Sequence, residues 1–187
     1  MGHHTFDATK ANKLENAADR YRYVSREELL WALTLDGGET VADLGSGTGF
    51  YTDDAAPYAD RVYAVDVQDE MHDYYRQKGV PENVALVTAD VADLPFEDAH
   101  LDAAFSTMTY HEFASEQALS ELARVLTPGG RLVIGDWSAT GTGDSGPPLE
   151  ERFTGDEVAT ALRNVGFEIR FRADRPETLL VVGVFHA

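Results

Sequence analysis

Cysteine is absent from this chain of 187 residues, and only three residues are lysine. The absence of cysteine excludes disulfides, thiolate metal sites and a cysteine nucleophile. No apolar run approaches the ~20 residues that span a bilayer, and the first residues lack the basic and apolar regions of a signal peptide. The length suits one domain with a full-sized core. We therefore expect a cytoplasmic protein without a membrane span.

Positive charge is scarce. The chain has 33 Asp and Glu against 15 Lys and Arg, a formal net charge of −18, and the acids are spread along its whole length. High negative charge keeps a protein soluble where salt screens its self-repulsion, which predicts an acidic protein from a halophilic source. A nucleic-acid partner is disfavoured, because phosphate backbones are bound by clustered Lys and Arg.

Short β-type runs alternate with helical stretches along most of the chain. Five such runs are separated by helices or long connections, which predicts crossovers and a parallel sheet. Only the four residues "DRPE" separate the last two runs, so these must form an antiparallel hairpin. We predict an α/β fold with a Rossmann-like, seven-stranded, mostly parallel sheet, an antiparallel last strand and helices on both faces. The predicted strands are 40–44, 61–66, 83–90, 101–107, 131–137, 167–173 and 178–185.

The chain divides into a short helical segment and a core. Residues 1–39 are predicted to form an N-terminal helical cap segment, and residues 40–187 the core of what is one domain overall. One long glycine- and proline-rich loop, residues 138–148, follows the fifth strand. Loops at that edge of a parallel sheet commonly cover a ligand site. Three leucines of the first segment are expected to pack on the core, namely Leu29, Leu30 and Leu33.

A glycine-rich turn, "VADLGSGTGF" at residues 41–50, follows the first strand. A phosphate-binding loop of the Walker type needs a lysine, which this turn lacks. The dinucleotide fingerprint is G-x-G-x-x-G, whereas Gly45, Gly47 and Gly49 are evenly spaced. Asp43 would repel a pyrophosphate but attract an ammonium group. S-adenosylmethionine carries an ammonium and a sulfonium without phosphate, so the charge favours it over NAD.

Two further carboxylates follow the next strands of the predicted sheet. Asp66 ends the second strand, where an acid accepts hydrogen bonds from both ribose hydroxyls in NAD and S-adenosylmethionine sites alike. Asp90 ends the third strand, where its carboxylate and the next backbone N–H can contact the edge of an adenine. Both positions favour an adenosine-containing ligand.

The chain resembles the class I S-adenosylmethionine-dependent methyltransferases in five ordered stretches: "VADLGSGTG", "VYAVDVQDEM", "TADVADLPF", "LDAAFSTMTYHEF" and "RVLTPGGRLVIGDW". The nearest group contains small-molecule enzymes of the ubiquinone/menaquinone-biosynthesis type. The resemblance covers roughly residues 38–187. It implies methyl transfer from S-adenosylmethionine to a small-molecule acceptor by in-line displacement, with release of S-adenosylhomocysteine.

The resemblance also implies the cofactor-binding residues, motif by motif. The glycine turn would line the methionine and ribose portion with Asp43, Gly45, Ser46, Gly47 and Gly49. After the second strand, Asp66 would hold the ribose, and Val67 and Met71 would lie against the adenine. Asp90 and Val91, after the third strand, would meet the adenine edge, and Ser106 or Thr107, at the end of the fourth, would lie beneath the sulfonium.

Candidate catalytic residues follow the fourth strand. His111 and Glu112 are predicted as bases or substrate anchors, although a pair held by local hydrogen bonds at a helix start explains them as well. Methyl transfer needs alignment before it needs a base, so the family alone assigns no catalytic residue. Nothing predicts a metal site, since His3 and His4 form a terminal pair without further ligands. An aromatic acceptor pocket is the alternative to ordinary core packing for Asp136, Trp137, Tyr21, Tyr23, Tyr110, Phe113 and Phe153.

Two other functions are compatible with the sequence. The first is a cofactor-binding or scaffolding module with a methyltransferase fold and no transfer activity. The second is an NAD-dependent oxidoreductase. The third glycine, one residue too early for the dinucleotide fingerprint, and the absence of a Tyr-x-x-x-Lys pair argue against it. A homodimer is one way for a chain this short to complete an acceptor pocket.

Overall fold

In the computed structural model, which describes residues 8–186, seven strands form one mixed sheet. The strands are β1 (Thr40–Leu44), β2 (Arg61–Asp66), β3 (Val84–Thr88), β4 (Leu101–Thr107), β5 (Leu126–Trp137), β6 (Phe167–Asp174) and β7 (Thr178–Phe185). They lie in the order β3-β2-β1-β4-β5-β7-β6. Pairs among the first five are parallel, and β7 is antiparallel to both β5 and β6. The predicted sheet and its terminal hairpin are confirmed.

Seven α-helices connect and cover the strands. They are α1 (Ala17–Tyr23), α2 (Arg26–Leu33), α3 (Phe50–Ala55), α4 (Asp69–Lys78), α5 (Tyr110–Phe113), α6 (Glu116–Val125) and α7 (Gly155–Asn164). A 3₁₀ helix over Ala8–Glu15 precedes them. The capping box of Thr154 and Glu157 begins α7, as such a sequence predicts. Within the described part of the chain, no helix is long and apolar enough to cross a membrane.

Two apolar clusters, one on each face of the sheet, hold the helices. Leu119 and Leu122 of α6 pack in one cluster with Leu162 of α7. The other cluster contains buried side chains of α2, α3 and α4, including Leu29 and Tyr75. Of the three leucines expected to pack on the core, Leu29 and Leu33 are buried and Leu30 is half-buried. Burial of both faces explains why the parallel strands are nearly continuously apolar.

Three strands differ from their predicted bounds, and β6 does so only by ending one residue later, at Asp174. β5 begins at Leu126, directly after α6, because Leu126 already pairs with Leu101 of β4. The register then shifts, and pairing resumes between Ala103 and Arg131. β3 ends at Thr88 rather than at residue 90. Asp90 instead lies in a turn, where its Oδ1 accepts a hydrogen bond from the Ala92 N–H at 2.8 Å. Side-chain capping of this kind competes with the strand ladder.

Candidate active site

A cavity of about 960 Å³ lies at the carboxyl ends of the parallel strands, and residues following β1 to β5 line it. Its volume is at the upper end of the range for small-molecule sites. Residues that follow β1 and residues that end or follow β4 both line the cavity, and between these two strands successive connections leave the sheet in opposite directions. Such a switch point is the usual ligand site in an open α/β sheet.

The glycine turn forms the floor of this cavity. Gly45 and Gly49 both have a φ of +77°, which favours glycine. A Cβ at Gly45 would overlap the Thr109 side chain, and one at Gly49 would overlap the Tyr75 ring. These two glycines are therefore required by the protein's own packing. Gly45, Ser46 and Gly47 line the cavity as predicted, whereas Gly49 does not.

Asp66 connects the turn to the end of β2. Its Oδ2 accepts a hydrogen bond from the Gly47 N–H at 2.8 Å, and its Oδ1 accepts one from the Gln68 N–H at 2.9 Å. The residue is 8% exposed and lines the cavity. Each carboxylate oxygen keeps a further lone pair, so the pair of oxygens suits the vicinal hydroxyls of a ribose.

The residues implied for adenine binding lie together beyond Asp66. Met71 and Val91 are buried, Val67 and Asp90 are exposed, and all four line the cavity. This part of the cavity thus has apolar side chains for the faces of a planar ring and a carboxylate for its edge. A nucleoside of S-adenosylmethionine fits that arrangement.

Besides Gly49, two of the implied residues, Asp43 and Ser106, do not line the cavity. Asp43 is fully buried; its Oδ2 accepts a hydrogen bond from the Thr52 hydroxyl at 2.6 Å, and its Oδ1 has no partner among the described residues. Burial raises the pKa of Asp43 to about 7. Of the alternatives at the end of β4, Thr107 lines the cavity and Ser106 does not, because successive strand side chains point to opposite faces.

His111 is held by a buried carboxylate. The Oδ2 of Asp136 accepts a hydrogen bond from the His111 backbone N–H at 2.7 Å, and its Oδ1 lies 3.0 Å from His111 Nδ1. The Trp137 backbone N–H donates to the same Oδ1 at 2.7 Å. A proton on Nδ1 satisfies this arrangement, and it leaves Nε2 as the acceptor nitrogen of the imidazole. Neither side chain is more than 7% exposed.

Glu112 adds a second titratable group beside the imidazole. Its Oε1 lies 3.9 Å from His111 Nε2. Burial raises the pKa of Glu112 to about 7. Burial alone would lower the pKa of His111, but the hydrogen bond to Asp136 and the neighbouring carboxylates outweigh it, so that this pKa lies above its ordinary value. Both predicted residues line the cavity, and both can hold or release a proton.

The loop over residues 138–148 covers one end of the cavity, where Gly146, Pro147 and Pro148 line it. Arg152, which is 5% exposed, holds the loop by donating to the carbonyls of Pro147 (2.9 Å), Ser138 and Ser145. Its guanidinium also lies 5.4 Å from the Trp137 ring centre. The sequence predicted the cover but not the residue that fastens it.

The predicted aromatic pocket is only partly formed. Phe113 and Trp137 line the cavity, and Tyr23 packs behind Trp137 with ring centres 4.6 Å apart. Tyr110 and Phe153 belong to the apolar core, and the Tyr21 hydroxyl donates to Asp54. Core packing, the alternative kept open above, therefore explains most of the set.

Several lining residues carry no recognisable signal in the sequence. Leu14 and Arg20 reach the cavity from the amino-terminal segment, and Phe50 begins α3 beside the glycine turn. Met108 lies at the end of β4 with a φ of +61°, an unusual conformation for a side chain of its size. Contacts between distant segments bring these residues together, so no local pattern marks them.

No group of three or more His, Cys, Asp and Glu side chains within residues 8–186 is arranged to hold a metal ion. His3 and His4 lie outside the described residues.

Comparisons with known proteins agree with this geometry. A family model described as a methyltransferase domain matches residues 42–134. A solved S-adenosylmethionine-dependent methyltransferase from Aquifex aeolicus is 31% identical and has a TM-score of 0.86; the match covers 97% of this chain and 100% of that one.

Two curated relatives match more locally. The biotin biosynthesis bifunctional protein BioHC of Cellvibrio japonicus is 41% identical over 93 residues, which are 49% of this chain and 18% of that protein. The ubiquinone/menaquinone biosynthesis C-methyltransferase UbiE of Ectopseudomonas mendocina is 36% identical over 112 residues, 56% of this chain and 44% of that protein. The chain thus spans less than half the length of these relatives.

The fold and the matches define a methyltransferase of the Rossmann-like class. The chain belongs to the class I S-adenosylmethionine-dependent methyltransferases, and its cofactor is S-adenosylmethionine. The interpretation as an NAD-dependent oxidoreductase is therefore set aside.

Proposed function

We propose that the protein transfers the methyl group of S-adenosylmethionine to a small-molecule acceptor by in-line displacement and releases S-adenosylhomocysteine. One observation carries the proposal: a single cavity extends from Asp66, which suits a ribose, past Thr107 to His111 and Trp137. Donor and acceptor can therefore meet in one enclosed space. The residues proposed for cofactor binding are the implied ones that line the cavity from the glycine turn to Thr107, together with Asp43 behind the turn.

When bound, the cofactor supplies a methyl group that its sulfonium already activates. The protein's part is to align the acceptor and to exclude water. Pro147 and Pro148 cover the acceptor end, and Leu14 lies above the glycine turn, 3.4 Å from where a Cβ of Gly47 would lie. This cover supports a small acceptor that fits beneath it.

His111 is proposed as the general base. Asp136 orients the imidazole through Nδ1, so Nε2 is available to take the proton that a hydroxyl, amine or carbon acid loses on methylation. Glu112, 3.9 Å away, can receive that proton or anchor the acceptor. Asp136 acts through His111 and is a positioning residue.

The charge of the cavity bears on the class of acceptor. Among its described lining residues, Arg20 is the only Lys or Arg, while Asp66, Asp90, Glu112 and Glu151 are acidic. Arg20 lies beside Phe50 and Tyr51 at the glycine turn, and the guanidinium of Arg152 is bonded to loop carbonyls, so neither is available to pair with an anionic acceptor. We therefore propose a neutral or cationic acceptor, not a nucleic acid.

We also propose a cytoplasmic compartment, a halophilic source and a homodimeric assembly. The acidic composition supports a protein adapted to concentrated salt, in keeping with a cytoplasmic, halophilic protein. A homodimer is retained as a hypothesis, to be tested by light scattering.

The proposed reaction is tested with methyl-labelled S-adenosylmethionine and a fractionated small-molecule extract. We expect label in a low-mass product, at a rate that rises with pH through an apparent pKa above the ordinary histidine value. The sign follows from chemistry, since a base works only when deprotonated. His111→Gln should lower the rate by at least about 100-fold and abolish that limb of the pH profile.

Asp136→Asn serves as the matched variant, because it keeps the shape of the side chain but not its charge. It should move the limb to lower pH. Binding of S-adenosylhomocysteine should be unchanged in both variants. Label found only in macromolecules would refute a small acceptor. Cofactor binding with no labelled product in any fraction would favour the binding-module interpretation.

A further inference from the structure

Arg20 is fixed at the rim of the glycine turn by two aromatic rings. The carbon of its guanidinium lies 4.8 Å from the Tyr51 ring centre and 5.7 Å from that of Phe50. The Tyr51 hydroxyl donates to the carbonyls of Arg20 (3.1 Å) and Val24 (2.9 Å), which joins α1 to α3. The side chain lines the cavity. Its position is thus set by the fold.

This guanidinium has an unmet bonding capacity. The Nε of Arg20 is buried and has no hydrogen-bond partner among the described residues. None of the ion pairs formed within residues 8–186 includes Arg20, although Asp and Glu outnumber Lys and Arg by 33 to 15 in the chain. The Arg20 side chain is half-buried, and the Tyr51 hydroxyl beside its guanidinium is uncharged. The guanidinium therefore lacks an ion-pair partner, which points to an anion that is supplied from outside the protein.

Asp43 is a buried carboxyl group that interacts electrostatically with Arg20. Its Oδ1 is also buried without a partner among the described residues. The two groups attract each other electrostatically, yet no direct ion pair joins them. A cationic side chain and a carboxyl group therefore lie beside the glycine turn. Of the two, Arg20 lines the cavity and Asp43 lies behind it. The methionine portion of the cofactor ends in an α-ammonium and an α-carboxylate, and the α-carboxylate is the anion that Arg20 lacks.

We propose that Arg20 is a cofactor-binding residue that pairs with the α-carboxylate of the methionine portion. The inference rests on the proposed cofactor site around Gly47 and Asp66. A guanidinium suits the task because its planar donors match the two oxygens of a carboxylate. The amino-terminal segment, which the sequence presents only as a helical cap, then supplies a recognition element for the methyl donor.

The test compares two ligands on the wild-type protein and on Arg20→Gln by calorimetry. S-adenosylhomocysteine carries the α-carboxylate, and its methyl ester differs only in having that group neutralised. We expect esterification to weaken binding to the wild type by at least about tenfold, the usual effect of losing a charged hydrogen-bond partner. In Arg20→Gln the two ligands should bind within about twofold of each other.

Two variants complete the experiment. Arg22→Gln, an exposed change on the same helix, should keep the full preference for the acid over the ester. Arg20→Lys keeps the charge without the planar donors and should show an intermediate preference; it carries the comparison if Arg20→Gln does not fold. An ester effect of undiminished size in the Arg20 variants would overturn the inference. Failure of the wild type to bind S-adenosylhomocysteine would instead refute the proposed cofactor site.

Discussion

At the scale of single residues, the site depends on groups that packing holds in costly states. Gly49 has a left-handed conformation against Tyr75, and Met108 has one without being glycine. Asp43 is a carboxylate enclosed behind the glycine turn. Met108 and Asp43 store free energy that the rest of the fold must offset, and such residues cluster at functional sites.

Asp43 provides the prediction at this scale. Burial raises its pKa from an ordinary 3.8 to about 7, so the unfolded chain loses this proton at lower pH than the folded protein. The stability contributed by this group is therefore present at low pH and is lost as the pH rises from about 4 to 7. Between pH 5 and pH 7.5, Asp43→Asn should gain about 1–3 kcal/mol in free energy of unfolding relative to the wild type.

Urea denaturation of the ligand-free proteins at the two pH values measures the difference. The comparison variant is Asp53→Asn. The side chain of Asp53, on α3, is 38% exposed, and this variant should show no such gain. Parallel pH dependence of the wild type and Asp43→Asn would show that this carboxyl group titrates normally.

At the scale of elements, two segments outside the sheet cover the cavity. The 3₁₀ helix before α1 is fastened to the core through Glu15, which accepts from the Thr48 hydroxyl and from Lys78 at 3.3 Å, and Lys78 also pairs with Asp53 at 2.8 Å. The loop over residues 138–148 depends on Arg152. Both covers must give way for ligands to enter, so their fastenings should govern access.

Loss of the Arg152 fastening should loosen the loop without unfolding the core. In Arg152→Met the three carbonyl groups lose their donor, and proteolytic cleavage within residues 138–148 should accelerate by about tenfold or more. The measurement is limited proteolysis with identification of the cleavage site. Arg163→Met, on the exposed face of α7, should be cleaved like the wild type. Equal rates in both variants would mean that the loop is held by other contacts.

At the scale of the whole molecule, the net charge of −18 opposes compaction. Few cations relieve it, and several ion pairs in the described part lie on exposed side chains, where each contributes little. Screening by salt then becomes a condition for stability, since the Debye length falls from about 10 Å at 0.1 M to about 3 Å at 1 M.

We expect the free energy of unfolding to rise by more than about 1 kcal/mol between 0.1 M and 1 M KCl. Urea midpoints at the two concentrations give the change. The triple variant Glu70→Gln, Glu82→Gln and Glu97→Gln removes three exposed charges and should show a smaller rise. Salt dependence of equal size in the triple variant would attribute the effect to apolar burial, which salt also strengthens.

Much of the fold was predictable because its signals are local. Short apolar runs, most of them separated by helical stretches, marked the seven strands, and a four-residue connection required the final hairpin. The spacing of Gly45, Gly47 and Gly49 together with Asp43 favoured S-adenosylmethionine, which the comparisons support. The bounds of β3 and β5 were less predictable, since side-chain caps and ladder irregularities decide them.

The sequence by itself therefore determined the number of strands, their parallel or antiparallel directions and the methyl donor, because short-range periodicity, turn chemistry and charge encode them. Only the tertiary structure decided which side chains meet in the cavity. Asp136 orients His111 from 25 residues away in the chain. Arg20 lines the same cavity as the glycine turn, although it belongs to α1, which precedes β1. Such pairings arise when helices and strands pack to bury their apolar faces, and no local spacing records them.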